Sequence, residues 1–467
     1  MRRLLSVAGA AALLALASPV RADSGSAMTT AVTDVASSFD GENKFDFRLR
    51  VRYDHTESRA QIKRELSVPG ADAISILKDL NYSSRRDAVT LRTEFGLYKD
   101  LMLHAELPII VEESASYEYD QSLGNSCAYP PDSNPTCVNA SNSTTIRDEI
   151  VPMGGYDATA SGAPLSGNQV FKTVTRGARG GGGLDAFDTF NLGLTWGPLS
   201  QARDRSKPNW IVAIEGQISF GNVKKFDRAN PNANKGVSEG VHRFLVRTAL
   251  SRRFRFFEPY WELWYMLPIA RGDSLFTDYG RAQKTKNPQM EGGTRFGVEF
   301  VPYERKEKQY RVGLDLGMRV QAHFEGRGYS QAWEMLAGSP ALACNDTTAS
   351  TNPACASTTA ANPYQNQPFT GITTIENYAT VGAYLQVGAQ IGQYFRLRTG
   401  VQYQHDQSHF ITGDDIGTPA ADNPTGRVTN PNEFNPAYRA VIDQPGRRYY
   451  VDGVHIVNFF LWAQAMF

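Results

Sequence analysis

The amino-acid sequence predicts an all-β fold, a transmembrane antiparallel up-and-down β-barrel of about twelve strands. Many segments alternate apolar and polar residues with a period of two, which gives each strand one face suited to lipid and one suited to water. After residue 22, no run of about 18 apolar residues remains from which a transmembrane helix could form. The mean hydropathy of −0.39 resembles that of a soluble protein but does not argue against a barrel, because alternation hides the apolar face in an average over the chain.

The N-terminal residues have the pattern of a cleaved export signal. Met1-Arg2-Arg3 is a short basic region, and the apolar segment from Leu4 to Ala17 is too short to span a bilayer. Val20-Arg21-Ala22 fits the small-x-small rule, so we expect cleavage after Ala22; an uncleaved anchor is the alternative. The predicted organisation is a signal peptide over 1–22, a short periplasmic segment over 23–42 and the barrel with its loops over 43–467.

The first three strands carry the clearest alternation. Strand one covers 45–53, with apolar residues on one face and charged residues on the other. Tyr98-Lys99-Asp100 is a tight turn between strand two at 89–97 and strand three at 101–111. The remaining strands are predicted at 186–197, 209–221, 241–252, 256–269, 293–303, 309–324, 374–392, 393–406 and 453–467.

The connections between these strands alternate between short and long, as in barrels with tight periplasmic turns and long extracellular loops. The short ones are predicted at 98–100, 198–208, 253–255, 304–308 and around Gly392. The long ones are predicted at 55–86, 113–185, 222–240, 270–292, 325–373 and 407–452. The segment 113–185 is long enough to hold another hairpin, so fourteen strands is the alternative.

The last strand ends the sequence on an aromatic residue. Counting back from Phe467 in steps of two gives one apolar face, made of Ala465, Ala463, Leu461, Phe459 and Val457. This pattern resembles the closing strand of Gram-negative outer-membrane β-barrels, in which a terminal Phe is the signal read by the barrel-assembly machinery. The resemblance implies a location in the outer membrane of a Gram-negative bacterium, contact with its lipid and lipopolysaccharide, and Phe467 as the assembly signal.

The four cysteines form two close pairs in segments rich in Pro, Ser, Thr and Asn. We read each pair as a local loop disulfide formed in the periplasm, Cys127–Cys137 and Cys344–Cys355. Neither segment carries the additional His or Cys of a metal site, so we predict no metal and no cofactor. The formal net charge of zero gives no electrostatic reason to expect nucleic acid as a partner.

We do not predict an enzyme, because no complete set of acid, base and nucleophile is evident. The run His405-Asp406-Gln407-Ser408-His409 has the wrong spacing for the His and Ser of outer-membrane phospholipases. Omptin proteases need acidic and Asp–His pairs, for which Asp54-His55 and Asp414-Asp415 are the candidates. Adjacent residues on a strand face opposite ways, which argues against such a site.

Charged residues on the other strand face are expected to line the lumen, since a charge facing lipid costs about 2–4 kcal/mol at mid-depth. The candidates are Arg48, Arg50, Arg52, Arg92, Glu94, Glu106, Glu215, Glu262, Arg295, Glu299, Arg311, Asp315, Arg319, Arg396 and Arg398. In one interpretation, arginine–glutamate pairs such as Arg50 with Glu94 hold adjacent strands together. In the other, Arg48, Arg50, Arg396 and Arg398 form a basic stripe that favours anionic solutes.

The sequence therefore predicts a passive channel for small hydrophilic solutes, which would be anionic under the second interpretation. The alternative is a non-conducting barrel that anchors an envelope assembly or presents its loops to partners; a homo-oligomer is a further option. A conducting pore requires a continuous water path past Arg48 and Arg396, whereas an anchor predicts that loops or paired side chains seal it.

Overall fold

The computed structural model describes residues 32–39, 45–67, 74–120, 138, 143–151, 156–157, 169–227, 230–342 and 369–467. The predicted signal peptide and the four cysteines, Cys127, Cys137, Cys344 and Cys355, lie outside the described residues. The signal peptide and both disulfides therefore stay predictions.

Twelve antiparallel strands close into one barrel, in which each strand pairs with its neighbours in sequence and the last pairs with the first. The strands are β1 Phe47–Ser67, β2 Ile74–Tyr98, β3 Leu101–Tyr119, β4 Thr189–Leu199, β5 Asn209–Ser219, β6 Val241–Ser251, β7 Phe257–Ala270, β8 Glu291–Arg305, β9 Tyr310–His323, β10 Tyr378–Ile391, β11 Phe395–Asp406 and β12 Tyr449–Met466. The predicted barrel of twelve strands is confirmed.

The fourteen-strand alternative is wrong. Two short strands do lie between β3 and β4, at Tyr156–Asp157 and Gln169–Lys172. They pair with each other, and the second also pairs with the far end of β3. Neither closes the ring, because β3 pairs directly with β4 from Leu101 to Glu106.

Short turns gather at one end of the barrel, which we call the turn end. A residue with positive φ, the left-handed conformation that tight turns favour, occurs in four of these turns, at Asp100, Arg255, Gln309 and Gly392. Phe467 lies at the same end, where its backbone N–H donates to the Phe47 carbonyl at 2.8 Å. Its ring stacks on that of Phe47 with centroids 5.9 Å apart. A role for Phe467 as assembly signal stays a prediction.

The outer surface carries a belt of exposed apolar side chains. Exposed residues of this belt lie on strands all around the barrel, among them Val51, Leu91, Leu192, Ile214, Val246, Leu263, Phe296, Leu316, Leu385 and Leu461. They face outward because alternate residues of a strand point to opposite faces. Among the described residues, no helix has both the length and the apolar character that crossing a membrane would need.

Strands β1, β2 and β3 extend beyond the predicted 45–53, 89–97 and 101–111. Much of the segment 55–86, predicted to be an extracellular loop, therefore continues as strand, and this prediction is wrong. Above the apolar belt the outward residues become polar, such as His55 and Glu57. The apolar alternation ends there although backbone pairing continues, so hydrophobic pattern could not detect the extension.

The opposite end, which we call the loop end, carries the remaining short elements. The helices are α1 Thr144–Arg147, α2 Trp333–Gly338 and α3 Ala440–Asp443. Single 3₁₀ turns occur at Gly183–Ala186, Pro231–Ala233, Pro340–Leu342 and Pro431–Glu433, and another at the turn end at Lys306–Lys308. A strand at Gly326–Gly328 pairs with Thr373–Ile375, and His409–Phe410 pairs with β12.

The helices α1, α2 and α3 and the loop residues packed against them form a loop cap over this end. One side of α2 contributes Met335 and Leu336 to an apolar cluster that contains Ile62 of β1 and Leu80 of β2. All six residues of α2 are buried. Burial of each large apolar side chain stabilises the folded cap by about 1.5–3 kcal/mol. The buried side chains of α2 therefore hold the cap as a packed structure.

The other side of α2 faces the opposite wall of the barrel. Trp333 and Ala337 pack in a second cluster with Val241 at the start of β6. The ion pair between Arg176 and Glu334, 2.9 Å long and buried, attaches α2 to the chain before β4. Helix α2 therefore spans the mouth between the β1–β2 wall and β6.

Candidate functional site in the barrel lumen

Residues Val32–Phe39 are named the N-terminal plug: 32–38 lie inside the turn end, and Phe39 is exposed at its rim beside Tyr98. Val32 packs against Tyr260 and Tyr384 of the inner wall. The Ser38 hydroxyl donates to the Gly96 carbonyl at 2.7 Å. A Cβ on Gly96 would lie 2.6 Å from this hydroxyl, so glycine is required for the close approach. The sequence predicts a periplasmic segment over 23–42; the structure places 32–38 of it within the barrel.

Asp34 attaches the plug to the wall by charge. Its carboxylate lies 3.0 Å from the Arg48 guanidinium and also pairs with that of Arg396. Asp46, at the start of β1, accepts the backbone N–H of Ser37 at 3.2 Å. The apolar contacts of the plug come from Val32 and Val35, which pack in one cluster with the inner wall, and from Phe39, whose ring contacts that of Tyr98. Asp34 is therefore the main electrostatic attachment of the plug.

A cavity of about 360 Å³ lies in the lumen above Asp34. Its ionisable lining, besides His104, comprises five arginines and five acids: Arg50, Arg92, Arg247, Arg295, Arg319, Asp34, Glu94, Glu215, Glu262 and Glu291. The apolar lining comes from Met102, Leu245, Trp264 and Met266. The arginines and acids of this lining are equal in number, but the carboxylates that pair with the arginines are distributed unevenly among them.

The candidates predicted from the sequence lie on barrel strands with their charged groups on the inner side. Those that line the large cavity are Arg50, Arg92, Glu94, Glu215, Glu262, Arg295 and Arg319. Those that line a smaller space of about 40 Å³ beside the plug are Arg50, Glu299, Arg311, Arg396 and Arg398. The others are held in ion pairs, Arg48 with Asp34, Arg52 with Asp54, Glu106 with Arg92 and Asp315 with Arg398.

The inner faces of β11, β12, β1 and β2 form a paired wall, in which each arginine of the predicted basic stripe contacts a carboxylate. Arg50 lies 3.3 Å from Glu94, and Arg48 lies 2.9 Å from Asp46. Arg398 lies 3.4 Å from Glu299 and 3.6 Å from Asp315, and Arg396 pairs with Asp34. The predicted stripe is therefore a set of ion pairs, as in the first interpretation of the sequence.

On the opposite wall, β6 to β9, three arginines stand around one close carboxylate. Arg247, Arg295 and Arg319 are named the arginine cluster. Glu262 lies 2.8 Å from Arg295 and 3.5 Å from Arg247. Arg319 makes no ion pair with a described residue; its guanidinium lies 4.9 Å from the centre of the Trp264 ring. Among the described residues, Glu262 is the only carboxylate within 4 Å of any of these three guanidinium groups.

Backbone register brings the cluster together. Arg295 of β8 lies directly opposite Arg319 of β9, an arrangement in which like charges repel. On the other side, Arg295 lies opposite Glu262. The Nε atoms of Arg295 and Arg319 are buried and have no hydrogen-bond partner among the described residues. These two donors are therefore unsatisfied by the described part of the chain.

A pair of tyrosines, Tyr260 of β7 and Tyr384 of β10, lies in one apolar cluster with Val32 of the plug. The Tyr260 hydroxyl donates to Asp315 at 2.6 Å and contacts the Tyr384 hydroxyl. A Cβ on Gly297 would lie 2.4 Å from the Tyr260 hydroxyl, so glycine makes room for this inward ring. Both rings pack against Val32. The plug thus rests on an ordered polar layer.

The residues considered as hydrolase candidates lie in separate structural pairs. Asp54 pairs with Arg52 at 2.7 Å, and His55 contacts Asp87 at 2.6 Å. Asp414 forms a buried ion pair with Arg327 at 2.8 Å. At these positions the described residues do not assemble a nucleophile with an acid and a base.

Sequence reasoning missed the plug and the loop cap. The plug residues are small, apart from Val32, Val35 and Phe39, and carry one charge at Asp34; this pattern is compatible with a narrow lumen but equally with a flexible linker. The position of Trp264 beside Arg319 depends on the registers of the β7–β8 and β8–β9 pairs. Neither feature leaves a periodic signal in the sequence.

No family model matches the sequence, and no curated protein matches it. Solved structures of similar shape include an outer membrane channel from Pseudomonas putida F1, with a TM-score of 0.36, 8% identity, and coverage of 89% of this chain and 95% of that chain. A FadL homologue of Pseudomonas aeruginosa has a TM-score of 0.28 at 9% identity, covering 91% of this chain and 90% of that chain. The TodX monoaromatic hydrocarbon channel deltaS2 mutant has a TM-score of 0.29 at 10% identity, with 90% of each chain covered. Likeness at this level carries no argument about function.

Proposed function

We propose that the protein is an outer-membrane channel for small hydrophilic solutes, in a state closed by the N-terminal plug and the loop cap. The observation that carries this proposal is the charged cavity of about 360 Å³ inside a closed barrel. A barrel needed only as an anchor could fill its interior with apolar or fully paired side chains. The arginine cluster instead leaves donors unsatisfied at the cavity.

The apolar belt supports a membrane location, because soluble proteins rarely expose so continuous an apolar surface. Tight turns at one end and long loops at the other support an outer-membrane barrel with its turn end in the periplasm. On this proposal the belt contacts outer-membrane lipid, the loop end contacts lipopolysaccharide, and the assembly machinery reads Phe467.

Passage of a solute requires movement at both ends. The plug has no regular secondary structure and only a few apolar contacts, as expected of a segment that opens at low cost. The loop cap is more extensively packed through α2, so its opening is the more costly step. We therefore propose the plug as the first gate and the cap as the second.

The alternative function, a non-conducting barrel that presents its loops to an envelope partner or to a second copy, is favoured by one observation. The described residues cover the lumen at both ends, by the plug at the turn end and by α2 at the loop end. If neither cover opens, the cavity is an internal polar layer and nothing passes.

Single-channel recording of the refolded chain in a planar bilayer distinguishes these functions. Asp34→Asn removes the pairs with Arg48 and Arg396, and we expect it to raise the fraction of time in a conducting state. Asp54→Asn is the matched control, since Asp54 pairs with Arg52 and has no described contact with the plug. Heat-modifiable migration on a gel verifies folding.

A third variant lacks residues 23–39 and so removes the plug altogether. Absence of conductance from both folded plug variants would contradict the channel and leave the loop-presenting barrel. Equal conductance of Asp34→Asn and Asp54→Asn would contradict the plug as the first gate.

A further inference from the structure

We infer that the arginine cluster binds a small carboxylate that carries an apolar body. The inference deepens the proposed function, since such a compound would be the solute held in the lumen. Binding is nevertheless measurable on a barrel that does not conduct.

The arginine cluster meets few carboxylates among the described residues. Arg247 and Arg295 share the carboxylate of Glu262, and Arg319 makes no ion pair with a described residue. The next carboxylate toward the loop end, Glu291, accepts the Gln321 amide at 2.7 Å. Directly opposed like charges on neighbouring strands are destabilising, and partly buried cations need a counter-charge. An anion between the arginines would supply it.

The guanidinium groups of Arg295 and Arg319 have the geometry of a carboxylate site. The Nε atoms of Arg295 and Arg319 are buried and without a hydrogen-bond partner among the described residues, and both side chains line the cavity. The planar guanidinium presents parallel N–H donors that match the two oxygens of a carboxylate. Two such groups on adjacent strands at the same level can hold one carboxylate between them.

The apolar lining of the cavity suits the rest of the ligand. The Trp264 ring packs closely against Gly293 of β8, where a Cβ would come within 2.9 Å of it. Leu245, Met266 and Met102 also line the cavity. Inorganic phosphate would leave these apolar side chains against water, whereas an organic carboxylate would cover them. The volume of about 360 Å³ falls in the range of small-molecule sites.

Equilibrium dialysis of the full chain tests the inference, with benzoate as the probe. The chain is refolded in the presence of the probe, so that plug and cap cannot exclude it from the cavity. We expect the folded chain to retain benzoate, and Arg319→Gln to bind it about tenfold more weakly, as loss of a charge-assisted pair implies. Arg319→Lys restores the charge without the fork and is expected to lie between the two.

Arg59→Gln is the control, because Arg59 is exposed on the outer side of β1 and the change in net charge is the same. Benzyl alcohol, which lacks the charge, and inorganic phosphate, which lacks the apolar body, are the comparison probes. Failure of the folded chain to retain benzoate, equal retention of benzyl alcohol, preference for phosphate, or an equal loss in Arg59→Gln would each overturn the inference. Retention of benzoate by a barrel that never conducts would support the site and contradict the channel. Conduction without retention would support the channel and contradict the site.

Discussion

Two glutamates inside the barrel, Glu94 on β2 and Glu262 on β7, each stand among three arginines, yet their surroundings differ. Glu94 lies within 4 Å of Arg48, Arg50 and Arg92. Each of these arginines also has another partner. Arg48 pairs with Asp34 and Asp46, Arg50 donates to Gln464, and Arg92 pairs with Glu106.

Around Glu262 such second partners are missing from the described part of the chain. Arg295 and Arg247 contact only Glu262 among the carboxylates, and Arg319 contacts none. The arginines of one lumen therefore differ in how fully they are paired. On the paired wall they hold strands and plug together, and in the arginine cluster, on our proposal, they bind the solute.

The largest expected difference between the walls is in stability. Arg398→Gln leaves Asp315 and Glu299, both buried, without that cation, and we expect it to lower the free energy of unfolding by about 3–5 kcal/mol. Arg319→Gln breaks no ion pair with a described residue and is expected to cost under about 1 kcal/mol. Urea unfolding in phospholipid vesicles, followed by tryptophan fluorescence, measures both. Equal losses would contradict the division into two walls.

A substitution in the loop cap should open access to the lumen without changing the ion pairs of either wall. Leu336→Ala removes a fully buried side chain of α2, and we expect it to cost about 2–5 kcal/mol of cap stability. Hydrogen exchange should then accelerate in α2 and its neighbours, with β8 and β9 unchanged. Acceleration of the barrel strands to the same extent would show that cap and barrel open as one unit.

The smallest expected effect is a pH dependence of the equilibrium between the closed and the open loop cap. Burial and the neighbouring Asp414 raise the pKa of Asp443 in α3 above the ordinary value of about 3.9. The closed cap therefore binds a proton that the open cap releases, so closure is strongest at acidic pH and weakens as pH rises from about 4 through the raised pKa. The expected slope is at most about tenfold in the opening equilibrium per pH unit.

Limited proteolysis of the loop end at several pH values measures this slope, and Asp443→Asn serves as the control. The variant should lose the dependence, because it has no proton to release. A slope of opposite sign, or the same slope in the variant, would rule out Asp443 as its origin.

The barrel itself could be read from the sequence, because period-two alternation is a local property of each strand. Alternation predicts that Arg295, Glu262 and Arg319 face inward, and all three line the cavity. It could not show that Arg295 and Arg319 are direct cross-strand neighbours, since that depends on the register shift between Phe300 and Tyr303 in the β8–β9 pair. Partner choice is a long-range property that no single strand encodes.

The plug and the cap were unpredictable for a related reason. Both are held by contacts between residues far apart in sequence, such as Asp34 with Arg396 and Arg176 with Glu334. Segments of this kind have no repeating pattern, and their polar composition is the same as that of ordinary loops. The sequence thus predicts which charged side chains face the lumen, but it does not predict which of them pair with an opposite charge.

The most direct test of this account is the reversal potential of the open barrel in a potassium chloride gradient. The double variant Asp34→Asn/Arg396→Gln removes one opposite charge pair and frees the plug, so it serves as the reference. We predict an anion preference in this reference, its reduction on adding Arg319→Gln, and no change on adding Arg59→Gln. A conducting reference without anion preference, or equal effects of the two added substitutions, would contradict the account.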